Sequence, residues 1–295
     1  MKSIIPDETD TPEFSGVQFA RNAEDFPVAR IDDITLAMLP FADGGGFLAS
    51  AWRVSRPLTA LKRGDFYGHE GRLANEEAFR DRVLETAQHR RELSALTRVQ
   101  KRTACSTPWG TSQMATVYGE GVTAHVTAGH GGFQLSTERN LRIHPALRKA
   151  CRWYEEDAEW AIVALTFPDL FTTYEHRIAC DTIRNTWPDA WETIHGCVLD
   201  PAESWTKARR LFDESHVGDW VVISAILSSH HDGMTEVIAT LGGKRTLDAA
   251  ERRYLVPSPD YGTRSPFGFV IDEALHQLYD GPSSFIGGDA RRATA

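Results

Sequence analysis

The chain has 295 residues, enough for one large domain or two, since single cores stop growing at roughly 250 to 300 residues. Its 41% hydrophobic and 25% charged residues are ordinary for a globular chain, and no stretch approaches the roughly 20 apolar residues of a membrane span. A net charge of −9 argues against general affinity for nucleic-acid phosphates, which needs clustered Lys and Arg, yet the excess acid is too dilute to imitate DNA.

The N-terminus, MKSIIPDETDTPEF, has acids and prolines where a secretory signal would carry an apolar core, so a cytoplasmic protein is expected. Residues 1–28 read as a flexible acidic arm. Residues 29–102 read as a hairpin and helix region. Ile31–Leu39 and Phe47–Val54 flank the glycines after Asp43, and Asn75 opens a helix to about Val99, with Glu76 and Glu77 in its first turn and Phe79, Val83, Leu84 and Ala87 on one face. The opposite, arginine-rich face carries interleaved acids and reads as solvated. The glycine run lacks the Lys-Ser/Thr pair of a P-loop.

Residues 103–216 read as a central α+β domain. Val117–Tyr118 and Val122–Thr127 predict a hairpin about Gly119–Gly121, with a second turn at Gly129–Gly132 before Phe133–Leu135. Trp153–Phe167 predicts a buried helix ended by Pro168, Thr172 with Glu175 caps the next helix to about Trp187, and Asp200-Pro201 with Glu203 opens another to about Ser215. Residues 217–288 predict an antiparallel sheet from Trp220–Leu227, Met234–Leu241, Arg253–Pro257, Phe267–Asp272 and His276–Tyr279, and residues 289–295 a frayed tail. The fold class is α+β, with central strands backed by helices and a C-terminal antiparallel β meander.

Chemistry concentrates in Thr107–Pro168. His130 sits between glycines that leave little to bury it, and the N–H groups of Gly131 and Gly132 suit an anion or a developing oxyanion. Glu155, Glu156 and Asp157 stand at the expected helix start, where at most two of three neighbours face one point. Glu156 or Asp157 meeting His130 would hold a divalent metal or form an acid/base pair. The structural readings are a hairpin histidine with structural glycines, and helix-start acids with one buried salt bridge.

Other candidates are weaker. His125 lies five positions before His130 on one strand, which disfavours a shared site. His230-His231-Asp232 holds ligand types in a turn that also suits them as loop residues. Cys105 would be a nucleophile with His130 as its base, although nothing local activates it, and with Cys151, Cys180 and Cys197 it reads as a reduced thiol. Trp109, Trp153, Tyr154 and Trp160 read as core more than as a stacking platform. His130–Phe133 matches the oxyanion loop of some esterases, but the chain lacks their G-x-S-x-G elbow.

Taken together, Thr107-Pro108-Trp109-Gly110, the strand ending Gly129-His130-Gly131-Gly132, Glu138-Arg139-Asn140 and Trp153-Tyr154-Glu155-Glu156-Asp157 resemble an uncharacterised bacterial domain family found on plasmids and in phage-like elements. The likeness covers Thr107–Pro168, with a looser echo in the C-terminal strands. It implies an accessory role on mobile DNA, directed at host defence, conjugation or nucleic-acid processing.

The leading expectation is a hydrolase, a nuclease being one form, with His130, Glu155, Glu156 and Asp157 catalytic, Gly131, Gly132, Trp109 and Arg139 binding, and a divalent metal at His130 and the acids. The rival is a non-catalytic interaction protein that binds a host or defence component through its acidic surface. A third reading has the polar set locking the fold.

Overall fold

The computed structural model describes residues 16–42 and 44–285, an α+β chain that divides into two compact units, Met1–Thr182 and Ile183–Ala295. In the first unit β1 (Val17–Arg21), β2 (Pro27–Ile31), β3 (Ile34–Pro40), β4 (Gly46–Trp52) and β5 (Gly68–Leu73) pair antiparallel in chain order. Alternate residues leave opposite faces of a strand, and both faces of this sheet are covered. Val17, Phe19, Ile31, Leu36, Met38 and Leu48 pack against Phe79, Val83 and Ala87 of α1 (Glu76–Ala95). On the reverse, Ala20, Val28, Ala37, Leu39 and Ala49 pack against Leu58, Leu61 and Phe66 of the β4–β5 connection.

Residues 17–28, expected in a flexible arm, instead supply β1 and the start of β2, with Val17 and Phe19 buried. Alternating burial needs few apolar letters, so the acids and prolines around them masked the strand. Residues 1–15 and the tail 289–295 lie outside the described residues. The hairpin and helix region and the central region, read separately in sequence, fall within one compact unit.

Asn75 caps α1 as expected, its side chain accepting from the Ala78 N–H at 2.8 Å. The helix stops short of Val99 because Val99–Arg102 leaves it to form β6. Then follow β7 (Ser106–Thr107), β8 (Gly110–Thr111), β9 (Met114–Gly119), β10 (Val122–Val126), β11 (Gly131–Leu135), α2 (Thr137–Arg142), β12 (Trp153–Glu155), α3 (Trp160–Thr166) and α4 (Thr173–Thr186). The central sheet runs β12-β11-β10-β9-β6, with β7 and β8 paired as a separate small hairpin.

One face of the central sheet is aromatic. Tyr118 and Phe133 meet edge-on at 4.9 Å and both stand beside Phe171, which follows α3 with its buried Ala161–Ala164. α4 begins in the expected capping box: the Thr172 N–H donates to Glu175 Oε2 at 2.8 Å and the Glu175 N–H to Thr172 Oγ1 at 3.1 Å. Arg98 closes on that same carboxylate with two nitrogens, at 3.0 and 2.6 Å.

The second unit contains α5 (Pro188–His195), α6 (Trp205–Ser215), β13 (Trp220–Leu227), β14 (Met234–Leu241), β15 (Glu251–Pro257), α7 (Ser258–Gly262) and β16 (Gln277–Leu278). The last four strands form the expected antiparallel meander in chain order. Phe267–Asp272 is not a full strand; it touches β13 through Val222 N–H to Phe269 O and Ile271 N–H to Trp220 O, at 2.9 and 2.8 Å. α5 was hidden behind the Trp187-Pro188 break, where proline sits at the first helical position and so begins a helix rather than ending one.

Glu236, on β14, has no exposure. Its Oε1 accepts from Arg253 Nη1 and Ser283 Oγ, each at 3.0 Å, and its Oε2 from the Ser284 N–H at 2.7 Å. Among the described residues no helix is long and apolar enough to cross a membrane.

Candidate metal centre on the central sheet

Residues directly opposite each other in paired strands share a face. Lys101, Ala115, His125, Gly132 and Glu155 therefore form one row across β6, β9, β10, β11 and β12. This row lies on the face opposite Phe133 and Tyr154. Gly131 and Gly132 thus belong to β11 rather than to the preceding turn. A Cβ at Gly132 would run into the Tyr154 carbonyl oxygen and the Trp109 ring, so glycine here serves close approach.

Trp153-Tyr154-Glu155 is a strand, and Glu156–Glu159 is a turn before α3, so the acids are not a helix start as expected. Three paired residues are enough to hold β12 because Tyr154, fully buried behind it, is tied down by its hydroxyl. That group donates to Asn140 Oδ1 at 2.6 Å and accepts from the Lys149 N–H at 3.0 Å. The Asn140 and Tyr154 positions of the two sequence motifs are therefore mates in an anchor for β12. Glu159, absent from the sequence reading, joins them: it takes both oxygens to Lys149 Nζ, at 2.5 and 2.6 Å, and accepts from the Glu155 N–H at 2.9 Å.

The β10–β11 loop is fixed by Thr127, also not foreseen. Its hydroxyl donates to His130 O at 2.6 Å, and its own N–H donates to the same oxygen at 2.9 Å. This clamp leaves the His130 imidazole 61% exposed and places Nδ1 3.6 Å from Glu155 Oε1. Glu155 Oε2 accepts from the Asp157 N–H at 2.8 Å, which folds the turn so that Asp157 returns toward the same point. One ligand atom from each of His130, Glu155 and Asp157 lies within 4.8 Å of the others. Glu155 Oε1, facing the imidazole, is a buried atom without a hydrogen-bond partner among the described residues.

Glu156 is not in this trio. Its N–H donates to Gly131 O at 3.1 Å and its carboxylate lies over Gly131, where a Cβ would meet it. Trp109 does border the row, its ring over Gly132 and perpendicular to Trp153 at 5.7 Å. Arg139 is elsewhere: Nε donates to Glu120 O at 2.9 Å and the guanidinium stands 5.1 Å from the Phe167 ring, at the Val122–Leu135 end of the hairpin, away from Gly131. The pairing of Cys105 with His130 is also corrected, since the thiol lies 3.4 Å from His125 Nδ1. Among the described residues, His230, His231 and Asp232 form no cluster of three ligand atoms, and the His231 ring packs against Tyr279 instead.

A mixed set of two carboxylates and one imidazole suits zinc, manganese or magnesium better than a soft ion. The scaffold is thus an α+β unit with a histidine-carboxylate cluster on one sheet. Residues 102–217 match the family model described as domain of unknown function (DUF7007). That span is wider than the motif region at Thr107–Pro168, takes in Cys105, and ends before the C-terminal strands. No curated protein and no solved structure matches the chain.

Proposed function

We propose that the matched region is a metal-dependent hydrolase that holds a divalent cation between His130, Glu155 and Asp157. The observation that carries this reading is the buried Oε1 of Glu155, which has no hydrogen-bond partner among the described residues and faces the His130 imidazole. A carboxylate oxygen removed from water without a donor is costly, and a cation shared with the facing Nδ1 supplies what it lacks. Three protein donors leave a divalent ion short of a full shell, and His130 and Asp157 are exposed, so water would complete the coordination sphere. A cation in such an open site lowers the pKa of bound water and polarises the bond to be cleaved. The protein's own contribution is to fix His130 through Thr127 and Glu155 through β12. Gly131 and Gly132 let the Glu156 carboxylate and the Trp109 ring pack directly on the strand beside the cluster.

The chemistry fits hydrolysis of an ester, phosphodiesters included. The resemblance to plasmid- and phage-associated proteins supports a cytoplasmic accessory role on mobile DNA as the setting. Calorimetric titration of Mn²⁺ or Zn²⁺ into the full chain tests the site, followed by hydrolysis of bis-p-nitrophenyl phosphate and p-nitrophenyl acetate with and without EDTA. Saturable binding that E155Q and D157N abolish, with EDTA-sensitive turnover, is expected. Wild-type protein that takes up neither metal at millimolar concentration would end the proposal. The acidic excess supports a second reading, a non-catalytic partner of a host or defence protein; its mark is a complex that survives H130A and E155Q.

A further inference from the structure

A second constellation lies on the same sheet and shares none of these ligands. Cys105, an exposed free thiol just before β7, has its Sγ 3.4 Å from Nδ1 of His125. That imidazole is 5% exposed, with its ring 5.4 Å from Trp153. Ser112 Oγ is 3.1 Å from the same nitrogen and 3.1 Å from the Met114 carbonyl oxygen, to which it donates. A hydroxyl whose hydrogen is engaged with Met114 accepts at its other contact. Nδ1 is therefore the protonated nitrogen, and Nε2, buried and without a hydrogen-bond partner among the described residues, is the bare one.

Burial pushes the His125 pKa below its ordinary value, with Lys101 acting in the same direction and the nearby Gln134 side chain opposing. The ring is thus a neutral N–H donor whose hydrogen points between a hydroxyl oxygen and the Cys105 sulfur. That contact fixes where the sulfur sits, with its other side open to solvent.

We propose that Cys105 is a nucleophilic thiol, oriented by the His125 imidazole at its Nδ1, and that its substrates are electrophilic carbons bearing a leaving group, acyl or alkyl. The thiol proton passes to water. The sulfur lone pair forms the S–C bond, the bond from carbon to the leaving group breaks, and that electron pair departs with the leaving group, so no oxidant or reductant is involved. Because β7 and β8 hold Cys105 over the row at its His125 position, the thiol is presented by a hairpin, not buried by it.

The probe is iodoacetamide on the full chain at pH 7 in EDTA, which removes any cation at His130 from the comparison. Labelling is stopped at short times and quantified for each cysteine by peptide mass spectrometry. Cys151 and Cys197, both exposed and free, serve as internal standards. Cys105 is expected to alkylate at least about tenfold faster than either, the scale on which an imidazole-paired nucleophile separates from ordinary thiols. H125F keeps an aromatic ring beside Trp153 but removes the N–H, and should bring the ratio close to one. The proposal is overturned if wild-type Cys105 reacts no faster than the two standards, a result that needs no variant to fold. It is equally overturned if folded H125F keeps the wild-type ratio, which is what a purely structural contact would give.

Discussion

Glu236 in the second unit and Glu155 in the first are the same side chain on the same kind of antiparallel strand, and their surroundings differ in every respect. Glu236 is wholly buried and answered by Arg253, Ser283 and the Ser284 N–H. Glu155 keeps one oxygen on the Asp157 N–H and leaves the other buried without a donor, facing an exposed imidazole. A buried carboxylate with donors on both oxygens is a device for holding backbone in place. One left with a buried oxygen short of a donor has an unmet demand, and unmet demands in native proteins gather where ligands bind.

The comparison can be broken by substitution. The largest effect belongs to E236A, which leaves the Arg253 guanidinium without its buried partner and releases the 283–284 backbone. A loss of about 3–5 kcal/mol in urea unfolding is expected, the scale for breaking a buried pair. A loss under about 1 kcal/mol would make the two carboxylates energetically alike and remove the contrast.

Glu175 is an intermediate case and sharpens it. Burial alone would raise its pKa, but the hydrogen bonds from Arg98 and the Thr172 N–H outweigh burial and hold the carboxyl below its ordinary 4.5. A depressed folded-state value means stability that is fully present above the unfolded value and lost as pH falls through the folded one. R98M should therefore cost stability at pH 7 and flatten the acid limb of stability against pH below 4.5, read by thermal melting across that range. An acid limb identical to wild type would show that the Arg98 contact does not set this titration.

The smallest change is expected at the candidate site. E155Q should move unfolding stability by no more than about 0.5 kcal/mol, because it keeps an oxygen for the Asp157 N–H and removes a charge whose other oxygen has no hydrogen-bond donor, while abolishing metal uptake. A large loss of stability in E155Q would instead make the cluster a fastening of the fold.

These contrasts show which parts of the molecule the letters carried. The cap at Asn75, the Thr172–Glu175 box and the C-terminal meander rest on local rules, and each stands where periodicity and capping placed it, except that Phe267–Asp272 makes isolated bridges rather than a strand. The central site rests on pairing across strands. Glu-Glu-Asp ahead of an apolar run has the spelling of a helix start, and only the β11 partners of Trp153, Tyr154 and Glu155 make it a strand. His130 with Glu155 and Asp157 was nonetheless visible as a grouping of residue types, because a short loop and a strand end supply them. The thiol of Cys105 was assigned to the wrong histidine. Twenty positions and a hairpin separate it from His125, and no local pattern marks which imidazole a distant thiol will meet. Thr127 and Glu159 escaped notice because their work is to position neighbours through backbone hydrogen bonds, which common residue types do without a motif.

The perpendicular pair of Trp109 and Trp153 has a practical outcome. Two indoles with centroids 5.7 Å apart and planes crossed at 89° couple their electronic transitions, which sets them apart optically from the chain's other tryptophans. Since one of them roofs Gly132, anything that settles beside that glycine must disturb the couplet, and near-ultraviolet circular dichroism would register an arriving molecule before its identity were known.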